Sequence, residues 1–197
     1  MVSLDQALED SRNSFTSGEF IAKLSGLVRI VTDSKNSVSS EDLISYYSQG
    51  LLSILTELGI QTKIIDNYVE NAPPFLIGER IESSELKTIL LYGHGDTVPL
   101  QQGLWYEGLI PNELKIVDKK IYGRGVADNK GQHLVNLLAL RSVLKTRKKL
   151  GFNLKIIFEM GEEIGSPGLF ELCEQYKDYL KSDVLICLLY TSPSPRD

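Results

Sequence analysis

Only two cysteines occur among the 197 residues, Cys173 and Cys187, too few for a disulfide framework and not in the paired spacing of a cysteine metal site. That scarcity fits a reducing, cytoplasmic compartment. No stretch reaches the roughly 18 apolar residues of a membrane span. The opening MVSLDQALEDSR, with Asp5, Glu9 and Asp10, lacks the basic-then-apolar pattern of a signal peptide. Basic charge is also short: 21 Lys and Arg against 26 Asp and Glu give a net charge of -5. The cations are scattered apart from the run Lys145 to Lys149, so neither nucleic acid nor a membrane is expected as a partner. Repeats and low-complexity tracts are missing too.

What is present is core material: 42% of the residues are hydrophobic, enough for one domain of ordinary size. Phe20, Leu24, Leu27, Val28 and Ile30 mark an amphipathic helix, and residues 41–58 a second, with Leu43, Leu51, Leu52, Ile54 and Leu55 inward and Gly59 as its C-cap. Residues 62–65, 75–77 and 88–92 are short apolar or β-branched runs that predict strands. Residues 114–122, broken at Asp118-Lys119-Lys120, predict a hairpin. A buried helix is expected over 127–149, a buried strand over 153–159, a helix over 167–180, and the start of a central strand over 183–186. Strand, helix, strand, helix, strand implies an α/β fold, a layered sheet flanked by helices with ligands at the strand ends.

Beyond Ile186 the pattern breaks, because Pro193 and Pro195 cannot sit in a central strand. Cys187 to Asp197 resembles, codon for codon, the translation of a transposon-based sequencing adapter. Residues 187–197 are therefore expected to be a non-native tail, and residues 1–186 the N-terminal part of a catalytic domain.

Three segments carry polar residues that apolar runs do not need: Gly93-His94-Gly95-Asp96, Gly123 to Gly131 with Asp128, and Glu159 to Glu163. In His94-Gly95-Asp96 the spacing of two puts both side chains on one side of an extended backbone, the geometry of a metal-binding His oriented by a carboxylate. The same pair also occurs by chance on surfaces. Gly123-Arg124-Gly125 ahead of a helix imitates a dinucleotide loop, but Asp128 stands where that fingerprint needs its third glycine and would repel a pyrophosphate. Asp128 suits a cation or a helix cap. The adjacent Glu162 and Glu163 must point in different directions, so one can bind a metal while the other stays free as a general base; a solvated turn is the plainer alternative.

Together LLYGHGDTVP, W-x-x-x-x-x-P, IYGRGVADNKGQ and EMGEEIGSPG resemble the di-zinc metallopeptidase and deacylase family of acetylornithine deacetylase, succinyl-diaminopimelate desuccinylase, aminoacylase and carnosinase-type dipeptidases. The resemblance, from about Phe20 to Ile186, implies a zinc-exopeptidase-like catalytic domain, here incomplete and without the family's lid or dimerisation domain. It implies two zinc ions, with cobalt or manganese as alternatives. His94 would bind one ion, Asp128 bridge both and Glu163 bind the second, with Asp96 orienting His94 and Glu162 as general base. The expected substrate is a small N-acyl amino acid or dipeptide, and the full-length protein a candidate homodimer. An acid after residue 186 and a late histidine would complete the ligand set, so this chain alone is expected to be inactive. His133 is expected to be structural or substrate-side. A non-catalytic fold module and, behind it, a dinucleotide-binding oxidoreductase domain are the rival readings.

Overall fold

Along the strand Asn153–Glu159 side chains alternate between two apolar layers: Leu154, Ile156 and Phe158 enter one, Ile157 the other. That period of two places helices on both faces of one sheet. The computed structural model describes residues 4–35, 40–187 and 189. Its helices are α1 (Leu4–Thr16), α2 (Glu19–Arg29), α3 (Ser40–Ser45), α4 (Leu52–Glu57), α5 (Lys130–Arg147), α6 (Leu169–Gln175) and α7 (Lys177–Leu180). Its strands are β1 (Gln61–Ile65), β2 (Phe75–Arg80), β3 (Thr88–His94), β4 (Lys115–Val117), β5 (Lys120–Tyr122), β6 (Asn153–Glu159) and β7 (Val184–Cys187).

The main sheet runs β1-β2-β6-β3-β7. β3 pairs parallel with β6 and β7, whereas β2 pairs antiparallel with β1 and β6. The α/β layered sheet expected from the sequence is the architecture observed. On one face α2, α4 and α5 supply Leu24, Leu27, Ile54, Leu55, Leu134 and Leu137 to the larger core. On the other, Leu172 of α6 and Leu180 of α7 cover Phe75, Ile77, Leu90 and Ile157. The hairpin β4-β5 turns at Asp118 and Lys119, both at positive φ (48° and 63°), the backbone of a two-residue hairpin turn.

Several elements depart from the periodicity. The helix expected over 41–58 contains a π-helical stretch, Tyr46–Leu51. The wider turn lets the adjacent Tyr46 and Tyr47 both be fully buried. Gly50 admits α2 here, since a Cβ would meet the Leu27 side chain at 2.8 Å. The helix expected to begin at Ala127 begins at Lys130, and that expected over 167–180 breaks at Tyr176. α1 was not expected at all. It packs on α5 through Ala7 and Ser14, and Asp10 pairs with Lys145. The strand expected to be central, β7, is an edge among the described residues, because β3 is its only partner there. Apart from Cys187, which ends β7, and residue 189, the segment 187–197 assigned to a non-native tail lies outside the described residues. Among the described residues no helix is long and apolar enough to cross a membrane.

The β7 edge is apolar, with Val184 49% and Leu185 61% exposed, and an unpaired apolar edge is a template for self-association. The 197-residue chain is therefore expected to elute as broad, concentration-dependent species on size exclusion. Leu185→Lys should raise the monomer fraction while changing stability by only about 0.5 kcal/mol, as surface substitutions do. A monodisperse monomer from the unsubstituted chain would contradict this.

Candidate metal centre

β3 and β6 run parallel and in register, with His94 opposite Glu159, so their C-terminal ends deliver two loops to one place. The Gly95 N–H donates to the Glu159 carbonyl at 2.9 Å, keeping the chains together one residue beyond the strand. Gly95 is needed there, because any Cβ would collide with the Tyr46 ring and the Met160 sulfur. The segment after α2 lies across both: Thr32 Oγ1 donates to the Gly95 carbonyl at 2.7 Å, and the Thr97 N–H to the Thr32 carbonyl at 2.9 Å.

Asp96 is fully buried at this junction. Its Oδ1 accepts from His94 Nδ1 (3.2 Å) and from the Glu162 N–H (3.2 Å). Its Oδ2 accepts from Ser34 Oγ (2.8 Å) and from the Glu163 N–H (3.1 Å). With Nδ1 committed as a donor, His94 turns Nε2 outward, 2.9 Å from Asp128 Oδ1 and 3.9 Å from Glu162 Oε2. Burial works against a charged imidazole, but the Asp128 and Asp96 carboxylates outweigh it and raise the His94 pKa to about 10. Asp128 is correspondingly lowered by His94. Glu163 is raised, first by burial and then by the Asp128 charge.

The structure thus gathers His94, Asp96, Asp128 and Glu162, and holds Glu163 by its backbone within electrostatic range of Asp128. It does not bring Glu163 to ligand distance: among the described residues no three His, Cys, Asp or Glu side chains converge tightly enough to hold an ion. The donor chemistry nonetheless fits a divalent cation. One imidazole turns its outer nitrogen to the Asp128 and Glu162 carboxylates, a set of nitrogen and oxygen donors that suits a divalent cation. Asp128 does not cap α5. The N-cap position is Asn129, and the Asp128 side chain is 63% exposed and turned to His94. The Asp128–Asn129 peptide bond is cis.

Sequence reasoning missed the supporting residues. Asn129 Oδ1 accepts from the His94 N–H (3.2 Å) and from His133 Nδ1 (3.2 Å), while His133 Nε2 accepts from Tyr46 Oη at 2.5 Å. Both ring nitrogens of His133 are spent, so it is structural. Lys130 is buried with Nζ on the Leu27 (3.1 Å) and Ile30 (2.7 Å) carbonyls, pinning the end of α2 beneath the site. Burial lowers its pKa to about 7. Asn129 and Lys130 were detectable in principle, as a polar pair opening an apolar helix. Nothing in the sequence marks Ser34, 62 residues from its partner.

A family model described as Peptidase family M20/M25/M40 matches residues 90–196. A mouse (Mus musculus) Beta-Ala-His dipeptidase is 33% identical over 180 residues, 84% of this chain and 35% of that protein. An uncharacterized metallohydrolase of Methanocaldococcus jannaschii is 31% identical over 188 residues, 89% of this chain and 45% of that protein. The crystal structure of human carnosine dipeptidase 1 superposes with a TM-score of 0.78 at 29% identity, over 91% of this chain and 40% of that one. The di-peptidase Dug1p of Saccharomyces cerevisiae shares the fold, with a TM-score of 0.81 at 22% identity, over 93% and 40%. The chain therefore spans less than half the length of these relatives.

His133 sets an acid limit on stability. Burial, with the His94 and Lys130 charges, pushes its pKa down to about 3, against about 6.5 in an unfolded chain. Between those values the unfolded state binds the extra proton, so stability falls as pH falls from about 6.5 towards 3. His133→Gln should flatten the slope of unfolding free energy against pH by up to about one proton in this window, measured by urea denaturation. An unchanged slope would show that His133 is already charged in the folded protein.

Proposed function

Because the chain belongs to peptidase family M20/M25/M40, we propose that it carries part of the active centre of a metal-dependent dipeptidase, with residues 1–186 as part of the catalytic domain. The observation that carries this reading is the Asp96 carboxylate, which orients His94 and fixes the backbone of Glu162 and Glu163 at once. In it His94 and Asp128 hold the ions together with Glu163, and Asp96 keeps the imidazole turned with Nε2 outward. We take the ions to be two zincs. When bound, they supply an acidified water and polarise the amide carbonyl.

Glu162 is the residue for the proton. Its side chain is 33% exposed, on the open side of His94, and its backbone is held by Asp96, so the carboxylate can reach a water without being spent on structure. It takes the proton from the attacking water and returns it to the leaving amine. Two carboxylates on one turn divide the labour because adjacent side chains diverge. The name of the mouse relative, Beta-Ala-His dipeptidase, favours a dipeptide over an N-acyl amino acid as substrate. The Asp128 carboxylate, turned to His94, would repel the pyrophosphate of the rival dinucleotide reading.

In the intact enzyme, Glu162→Ala should lower kcat for dipeptide hydrolysis by about 10²- to 10⁴-fold, the usual worth of a general base, with zinc content nearly unchanged. Asp128→Ala should lose metal and turnover together. Elemental analysis and a panel of dipeptides and N-acyl amino acids measure both. Metal loss in the Glu162 variant, or near-normal turnover, would show that the two glutamates have the opposite roles.

A further inference from the structure

Behind the turn that carries Glu162 and Glu163 lies another buried acid. Glu159, the last residue of β6, is 1% exposed. Its Oε1 accepts from Tyr92 Oη of β3 at 2.5 Å and from Ser166 Oγ at 2.9 Å. Its Oε2 is buried with no hydrogen-bond partner among the described residues. Ser166 ends the turn: its N–H donates to the Gly161 carbonyl (2.8 Å), the Gly165 N–H donates to the Glu162 carbonyl (3.0 Å), and its own φ is +52°. The head of the turn is gripped elsewhere, by Asp96 on the Glu162 and Glu163 N–H groups.

We propose that Glu159 is a positioning residue, its Oε1 tying the tail of the catalytic turn, through Ser166, to β3, through Tyr92. With Asp96 at the other end, the turn is clamped between two buried acids, and the side chains of Glu162 and Glu163 project from a backbone that cannot drift. The inference rests on those two glutamates having the roles assigned above. The two clamps differ in how they hold. Asp96 accepts on both oxygens, whereas Glu159 gathers two hydroxyls, one from each element, on Oε1 alone. Burial pushes the Glu159 pKa up.

The test is hydrogen exchange on the 197-residue chain, which needs neither bound metal nor turnover. Glu159→Leu should speed exchange in the peptide covering 161–166 by about 10-fold or more, the effect of losing buried hydrogen bonds, with β6 and α5 unchanged. Tyr92→Phe and Ser166→Ala should each act in the same direction, and neither should add to Glu159→Leu. Glu159→Gln, whose amide oxygen can accept from both hydroxyls, should stay within about 3-fold of the parent. Should Glu159→Leu fail to fold, the two hydroxyl deletions and the Gln variant carry the test. Unchanged protection of the turn in folded Tyr92→Phe and Ser166→Ala, a Gln variant as labile as a Leu one, or a uniform rise over the whole sheet would overturn the proposal. Selective loss of protection beside an intact protein that hydrolyses no dipeptide would leave the clamp standing and remove the function instead.

Discussion

A carboxylate removed from water must find its hydrogen bonds in the protein or lose its charge, and Asp96 meets that demand with donors from three separate parts of the chain. Ser34 comes from the segment after α2, His94 from the end of β3, and the Glu162 and Glu163 N–H groups from the turn after β6. Each donor satisfies the same buried charge, so none can move without leaving part of it bare. The fold is arranged to bring them there. The parallel β3-β6 pairing sets the two strand ends level, Gly95 lets Tyr46 and Met160 close over the junction, and Lys130 holds the end of α2 from below. Position at the site follows from one desolvated charge.

The electrostatics around that charge explain why the same cluster suits a cation. Asp96, Asp128, Glu162 and Glu163 surround one imidazole, whose pKa rises to about 10 against the burial that opposes it. The neighbouring histidine is driven the opposite way, to about 3, because it is buried in apolar and aromatic surroundings, with Phe158 at 5.0 Å and Tyr46 at 5.9 Å between ring centroids. Two histidines on one network are thus driven apart, one held charged among the acids and the other held neutral against the core.

Much of the sheet could be read from the sequence because β-branched and apolar runs of the right length are bounded by turn residues, as at residues 88–92 and 153–159. The hairpin at Asp118-Lys119 was equally plain. Helix boundaries were less readable: the π stretch at Tyr46–Leu51 answers to the burial of two adjacent tyrosines, a tertiary demand with no local signature. α1 escaped notice because it buries only Ala7 and Ser14, while Leu4 and Leu8 stay exposed. Around the site, the residues that end strands stood out as polar interruptions of apolar runs. What Ser34, Asn129 and Glu159 hold could not be read there, because their pairings reach across 62, 35 and 67 residues. Spacing can suggest a ligand; it cannot show which buried group holds that ligand still.

The central claim is that Asp96 fixes His94 with Nδ1 protonated and Nε2 presented to a metal. Nitrogen-15 NMR of the His94 ring during titration with cadmium or zinc measures this directly. The account predicts that Nδ1 keeps its proton throughout while Nε2 alone loses its proton and moves to the shift of a metal-bound nitrogen. Coordination through Nδ1, or a His94 ring that does not respond to the ion at all, would contradict it.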